Sequence, residues 1–319
     1  MTITAKIIAD SLGEGIPKET HRLTTFELRY NRYVHSEVMT HRVFSRNARS
    51  SRAIPIKRLI EEASLYPALP VHWGKAQAGM QANEELSGEA LEGTKAAWHS
   101  ARFSAVKHAQ QMADLGAAKQ VVNRILEPYT HITVVVTASN YDNFFHLRRH
   151  KDAQPEIKVL ADKMFKALMA SEPRLLKHGM WHLPYVPEAD HVMPINMGNG
   201  NVGDQPRFST EELIKMSVAR CARVSYLTHD GAEPDYAADA ALYDRLVGNS
   251  PLHASPAEHQ ATPDRFVWGG KNFQHPELNG NFGPGWVQFR KTLPGENFIR
   301  SETFKEAAQW HELRSQWKM

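Results

Sequence analysis

Ile132-Thr133-Val134-Val135-Val136-Thr137-Ala138 runs without a break into Ser139-Asn140-Tyr141-Asp142-Asn143-Phe144-Phe145-His146-Leu147-Arg148. The first six residues are β-branched and the run is flanked by turn formers, which reads as a short buried strand. The ten that follow are a polar cluster turning helical. Ligands in sheet proteins tend to sit where a buried strand ends. A bland reading stands beside that one, because Asn140 or Asp142 can simply cap the helix start.

Working outward, the densest donor segment is Thr40-His41-Arg42-Val43-Phe44-Ser45-Arg46-Asn47-Ala48-Arg49-Ser50-Ser51-Arg52, with four arginines, three serines and no acid. Arginine forks and serine hydroxyls suit phosphate. Arg42, Arg46 and Arg49 fall at i, i+4 and i+7, so on a helix they would share one face. The segment reads equally as an anion site or as a basic surface lying on nucleic acid. Upstream, residues 3–9 read as a strand broken at Gly13 to Pro17, and Leu23 to Val38 as a second strand turning helical near His35.

Three further clusters carry polar groups on otherwise apolar segments. Lys119-Gln120-x-x-Asn123-Arg124 lies in a long helical region, about 83–126, interrupted near Gly88 and Gly116 and stopped by Pro128. In Ser217-Val-Ala-Arg220-Cys-Ala-Arg223-Val-Ser225, small residues allow close helix approach, which would bury the two arginines against a phosphate or a carboxylate. His253-Ala-Ser-Pro-Ala-Glu258-His259 invites a metal, but it lacks the spacing of a helical zinc site and Pro256 opposes a regular helix, so no metal is expected. Cys221, the single cysteine, reads as a small buried apolar residue. No glycine-rich phosphate loop is present.

Other elements are legible. Lys57 to Ser64 and Asp235 to Val247 read as helices. Asp152 reads as the N-cap of a helix with Pro155 in its first turn and Ile157, Leu160, Met164, Phe165 and Leu168 on one face. Residues 172–208, rich in Pro, Gly and Asn, read as a linker or surface loop, and Ser209 with Glu212 as a capping box for a helix running to about Tyr226. Trp286 to Arg290 reads as a strand and 301–317 as a final helix.

At 319 residues with 42% hydrophobic and 23% charged content, the chain suits a sizeable globular core. A net charge of +3 is too small to imply a polyanion partner. The lone cysteine excludes a disulfide framework and fits a cytoplasmic protein. No apolar run reaches membrane-spanning length.

Taken together, these residues resemble the flavin-dependent thymidylate synthases. His41-Arg42, seven residues, then Ser50 is similar to that family's Arg-His-Arg signature, with Thr40 replacing its first arginine. Asn143-Phe-x-x-Leu-Arg148 with Ala153-Gln154-x-Glu156 looks like its downstream motif. Ala219-Arg-Cys-Ala-Arg-Val-Ser225 and His253-Ala-Ser-Pro-Ala-Glu-His259 resemble family segments that normally come before the signature. The resemblance therefore implies a circularly permuted member, similar in architecture to phage-encoded relatives.

The resemblance implies an α+β fold, a mixed β-sheet flanked by helices, in a single domain. Residues 1–171 would hold the signature half, 172–208 a linker, and 209–319 the permuted segment. It implies FAD contacts at Thr40, His41, Arg42, Thr137, Ser139, Asn143 and Ser255. Ser50, Ser51 and Arg52 would hold the nucleotide phosphate, Glu37 would lie near the base, and Arg148 would activate the ring. An arginine from a neighbouring subunit of a homotetramer would also reach the phosphate. Arg124 is the candidate for it, although direct alignment puts Val121 there.

The implied reaction moves a one-carbon unit from methylenetetrahydrofolate to C5 of a pyrimidine deoxynucleotide, dUMP to dTMP, with NADPH reducing the flavin. Thr40, Ala48 and Glu37 depart from the family pattern. They leave open a dUMP or dCMP hydroxymethylase, and a flavin-free nucleic-acid-binding protein remains the reading of another class.

Overall fold

The computed structural model describes residues 3–78, 82–198, 201–225, 232–233, 235–249, 252–267, 273–294 and 296. Its centre is a five-stranded sheet of β1 (Thr4–Gly13), β2 (Arg22–Asn31), β3 (Ser45–Ala48), β4 (His131–Ala138) and β5 (Arg174–Leu176), in the order β3-β4-β2-β1-β5. Neighbours run antiparallel except β5, which lies parallel to β1. The sheet is mixed, as expected.

Strand periodicity explains how both faces are covered. Phe26, Leu28 and Tyr30 of β2 and Val134, Val136 and Ala138 of β4 point to one face and form the main core. The helices that cover that face, α5 (Asp142–Arg148) and α6 (Pro155–Met169), contribute Phe144, Phe145, Ile157, Leu160 and Met164 to it. The alternate residues, Thr25, Glu27, Val135 and Thr137, face a second layer built from the C-terminal part of the chain. There Val135 packs with Tyr185, Cys221 and Val224. Tyr185 donates its hydroxyl to Glu27 at 2.6 Å.

In chain order the helices are α1 (His35–Val38), α2 (Ile56–Leu65), α3 (Gly88–Asp114), α4 (Lys119–Val122), α5 (Asp142–Arg148), α6 (Pro155–Met169), α7 (Glu188–His191), α8 (Thr210–Arg223), α9 (Tyr236–Leu246) and α10 (Phe289–Thr292). At 27 residues α3 is roughly 40 Å long. It lies on α2 through a narrow stripe that includes buried Arg102 and Ala109. Two small antiparallel pairs complete the chain, β6 (Val192–Gly198) with β7 (Asn201–Pro206) and β8 (Ala261–Pro263) with β9 (Trp286–Gln288). Among the described residues no helix is long and apolar enough to cross a membrane.

Several expectations need correction. Arg42, Arg46 and Arg49 do not share a helix face. Residues 45–48 form β3, because pairing with β4 satisfies their backbone and buries Ser45 on the sheet. The region 172–208 is not only a loop. It supplies β5 to the sheet edge, α7, and the β6–β7 hairpin. The N-cap of α6 is Gln154, whose side chain accepts from Glu156 and Ile157; Asp152 stands outside the helix. The long helical region begins at Gly88, breaks at Gly116 as expected, and resumes as α4 and a 3-10 helix over Asn123–Tyr129. Pro128 lies inside that last helix and does not stop it.

The capping box at Ser209 and Glu212 is present, and Asp235 caps α9. Helix α8 stops at Arg223 because Val224 turns left-handed, at φ 53°, earlier than the position expected near Tyr226, which lies outside the described residues. The helix expected over 301–317 also lies outside them.

Candidate functional site

The donor-rich segment divides at β3 into two stations. At the N-terminal end, α1 and the turn after it bring Thr40 and His41 to the C-terminus of α5, where Arg148 lies. Arg148 donates from Nε to His41 Nε2 at 2.8 Å and from Nη2 to Thr40 Oγ1 at 3.3 Å. Arg46 donates to the carbonyls of Met39 and His41, at 2.5 and 3.2 Å, which fixes this turn. His41 is 8% exposed and walled by Phe44 and Phe144, with ring centroids 5.8 and 4.9 Å away. Burial and the two neighbouring cations, Arg148 and Arg46, pull its pKa down to about 4, so the imidazole stays neutral.

At the other end of β3 lies a pocket of about 340 Å³. Arg49, Ser50 and Ser51 enter it from the signature segment, Arg32 and His35 from the turn after β2, and Arg124 and Glu127 from the turns before β4. Ser51 donates to Glu127 at 2.6 Å, and Arg124 pairs with the same carboxylate at 2.9 Å. Buried Asn123 supports the floor by donating to the carbonyls of Ser51 and Ile54.

The Nε of Arg32 and the Nε of Arg49 are both shut off from water without an acceptor. Burial draws both guanidinium pKa values downward. His35 is held below its ordinary value by burial, then by Arg32 and Arg46. Arg124 pairs with Glu127, whereas Arg32 and Arg49 make no ion pair among the described residues, so the pocket lining holds three arginines against one acid and suits an anion. A desolvated donor without a partner costs about 1–3 kcal/mol.

The remaining expected residues are scattered about these stations. Arg42, Asn143 and Ser255 are exposed, and their side chains make no hydrogen bond among the described residues. Thr137 is wholly buried in a polar chain. Its hydroxyl meets Thr25 at 2.7 Å and His259 Nδ1 at 2.8 Å, and Thr25 meets His182, which meets Ser11. Ser139 donates to the Phe282 carbonyl at 2.6 Å. Glu37 is exposed and accepts from Ser36. Arg52 is exposed and lies off the pocket lining, while Val121 is 54% exposed on α4.

The segments after residue 208 pack against the signature strand. Asn47 donates to the Cys221 carbonyl at 2.6 Å, and Gln288 donates to Ser45 at 3.2 Å. The two arginines of α8 meet protein carboxylates. Arg220 bonds Asp239 and Asp190 at 2.9 Å each, and Arg223 bonds Asp239. Cys221 is buried with its thiol pKa pushed up by desolvation, which makes it a poor nucleophile. Among the described residues no group of three or more His, Cys, Asp or Glu side chains is arranged for a metal ion.

Sequence reasoning placed Arg49 in the donor-rich anion segment but did not assign Arg32, His35 or Glu127. Arg32 and His35 sit at i and i+3 immediately after a strand, and Glu127 is the one acid between Gly116 and Asn140. Those were the available signals.

A larger pocket, about 570 Å³, is lined by Arg29, Arg58, Glu61 and Glu62 with Leu65, Tyr66 and Pro67. It contains none of the expected residues, and its two carboxylates make it a poor seat for phosphate.

The family model described as "Thymidylate synthase complementing protein" matches residues 13–174, half of the chain, and spans both stations. The chain belongs to that family. No curated protein matches it. Among solved structures, a UMP/dUMP methylase, PolB, from Streptomyces cacaoi bound with 5-Br UMP is 18% identical. That match covers 52% of this chain and 88% of the methylase, with a TM-score of 0.43. Thymidylate Synthase X from Helicobacter pylori with FAD and dUMP is 17% identical over 46% of this chain and 68% of its own, with a TM-score of 0.33.

Proposed function

We propose that this chain transfers a one-carbon unit from methylenetetrahydrofolate to C5 of a pyrimidine deoxynucleotide, dUMP to dTMP, in a reaction dependent on FAD and NADPH. The carrying observation is the arrangement about β3. An anion pocket lies at one end and the Arg148–His41 pair at the other, so one strand separates a place for phosphate from a place for the base. Ser45 to Ala48 spans roughly 10 Å. Family membership fixes the class of chemistry within which those two stations are read.

In this reading Arg32, Arg49, Ser50 and Ser51 hold the phosphate, with Arg124 and Glu127 bracing Ser51. Arg52 stands at the rim and contributes long-range attraction. Arg148 stabilises the negative charge that develops on the pyrimidine ring as C5 becomes nucleophilic, a role typically worth about 3 kcal/mol. The chain needs no nucleophilic cysteine, in keeping with buried Cys221.

For FAD, the resemblance points to Arg42, Asn143 and Ser255, a guanidinium, an amide and a hydroxyl that stand exposed with no hydrogen bond among the described residues. These suit a diphosphate and ring carbonyls. Thr137 and Ser139 are committed to the protein interior and act as support behind the site. When bound, the flavin supplies hydride for reduction of the transferred carbon. Thr40 and His41 orient the site's cationic edge.

The segment order is read as a circular permutation, supported by the contacts of Asn47 with Cys221, Thr137 with His259 and Ser45 with Gln288. A homotetramer with sites completed between subunits, acting in the cytoplasm and of phage type, belongs to the same reading.

A second substrate is favoured by one observation. Among the described residues the exposed Glu37 carboxylate accepts only from Ser36, and it can accept from an exocyclic amine, which suits dCMP and leaves room for a hydroxymethyl product. Arg148→Ala tests the reading. Flavin absorbance should be retained while turnover is abolished; surviving turnover would remove Arg148 from the chemistry. A colourless protein that binds DNA in a salt-dependent way would replace the enzyme reading altogether.

A further inference from the structure

We propose that His41 is a positioning residue for Arg148, forming with Thr40 an acceptor seat that decides which edge of the guanidinium is presented to a ligand. The inference rests on the reading of Arg148 given above and deepens it.

A guanidinium keeps its protons and has no acceptor. The 2.8 Å contact between Arg148 Nε and His41 Nε2 is therefore a bond donated by arginine. His41 Nε2 must be the unprotonated nitrogen, and the ring proton sits on Nδ1. Thr40 completes the seat. Its Oγ1 gives its own proton to the Glu37 carbonyl at 2.6 Å, which turns the oxygen's lone pairs towards Arg148 Nη2 at 3.3 Å.

Together the two residues occupy the Nε–Nη2 edge. Nη1 and the second Nη2 proton remain, a coplanar pair of donors with no partner among the described residues. Such a pair suits a carbonyl on which charge accumulates. The seat is itself stiff. Phe44 and Phe144 wall the imidazole, and Arg46 binds the His41 carbonyl. Thr40 is also where the signature departs from the family's arginine. An arginine at 40 would offer no acceptor and would set a second cation beside Arg148.

The test uses the full-length flavoprotein labelled with [15N]histidine, together with His41→Leu and His41→Asn. At pH 7 the 15N spectrum should show His41 neutral, with the proton on Nδ1 and Nε2 accepting. His41→Leu should lower kcat on the order of 10²-fold, the scale of a misplaced catalytic group, with nucleotide KM little changed. His41→Asn, whose amide oxygen can accept from Nε–H, should recover most of that loss.

A proton on Nε2, an unchanged kcat in His41→Leu, or equal loss in both variants overturns the seat. Loss of flavin from His41→Leu in place of loss of kcat assigns His41 to the cofactor and overturns it too. If Arg148→Ala leaves turnover intact, the reading of Arg148 fails, and the tautomer in the spectrum still decides whether the seat exists. The spectrum also decides if His41→Leu does not fold.

Discussion

Replacing Asp239 with alanine tests whether the arginines of α8 are structural. Asp239 is fully buried and receives Arg220 Nε at 2.9 Å and Arg223 through its other oxygen. Arg220 and Arg223 are 2% and 7% exposed, and a second carboxylate, Asp190, bonds Arg220 Nη1 at 2.9 Å. Without Asp239, buried Arg223 would lose its carboxylate and Arg220 one of two. Breaking a buried pair on one side typically costs about 3–5 kcal/mol. Urea unfolding at neutral pH should show a loss of that size. A loss under about 1 kcal/mol, the scale of an exposed pair, would refute the reasoning. The quadruple variant Asp190→Asn, Arg220→Met, Arg223→Leu, Asp239→Leu should regain most of the stability, because no member of the charge cluster is then left stranded.

Acid should destabilise the fold before its carboxylates titrate. His41, His182 and His259 are held at about 4, 3 and 3 by burial, against an ordinary 6.5. The unfolded chain then binds more protons below pH 6.5, so the Tm should be flat above that pH and fall between 6.5 and 5; a flat Tm across that interval contradicts the neutral histidines. At the anion pocket, Arg49→Ala should weaken nucleotide binding by about 10- to 100-fold, the range for a charged hydrogen bond. Arg52→Ala should weaken it much less, and titration of both with dUMP reverses the assignment if the order is opposite. Glu127→Gln should disorder Ser51 while releasing Arg124, which isothermal titration would register as altered affinity with an unchanged fold by circular dichroism.

The strand Ile132–Ala138 and the helix behind it were legible because β-branched runs and capped amphipathic periods are local signals. Ser209 with Glu212 and Asp235 were legible for the same reason. The helical reading of Arg42, Arg46 and Arg49 failed because i, i+4, i+7 spacing says nothing about a partner strand ninety residues away, and β4 decides that segment. Gln154 displaced Asp152 as the cap because Pro155 fixes where the helix begins. β5 was invisible because three residues at a sheet edge carry no period.

The Arg148–His41 contact joins residues 107 apart in sequence, and the pocket joins Arg32 to Arg124. Motif resemblance could bring the first pair under suspicion. It could not find Arg32, whose neighbours in the chain are ordinary strand-end residues.

The most direct measurement of the central claim is the mass of the nucleotide recovered after incubating the purified protein with dUMP, FAD, NADPH and methylenetetrahydrofolate. The account predicts dUMP converted to a species heavier by one methyl group in place of hydrogen, and conversion lost in Arg148→Ala. Recovery of unchanged dUMP, and of unchanged dCMP in the parallel reaction, from flavin-loaded protein would contradict it.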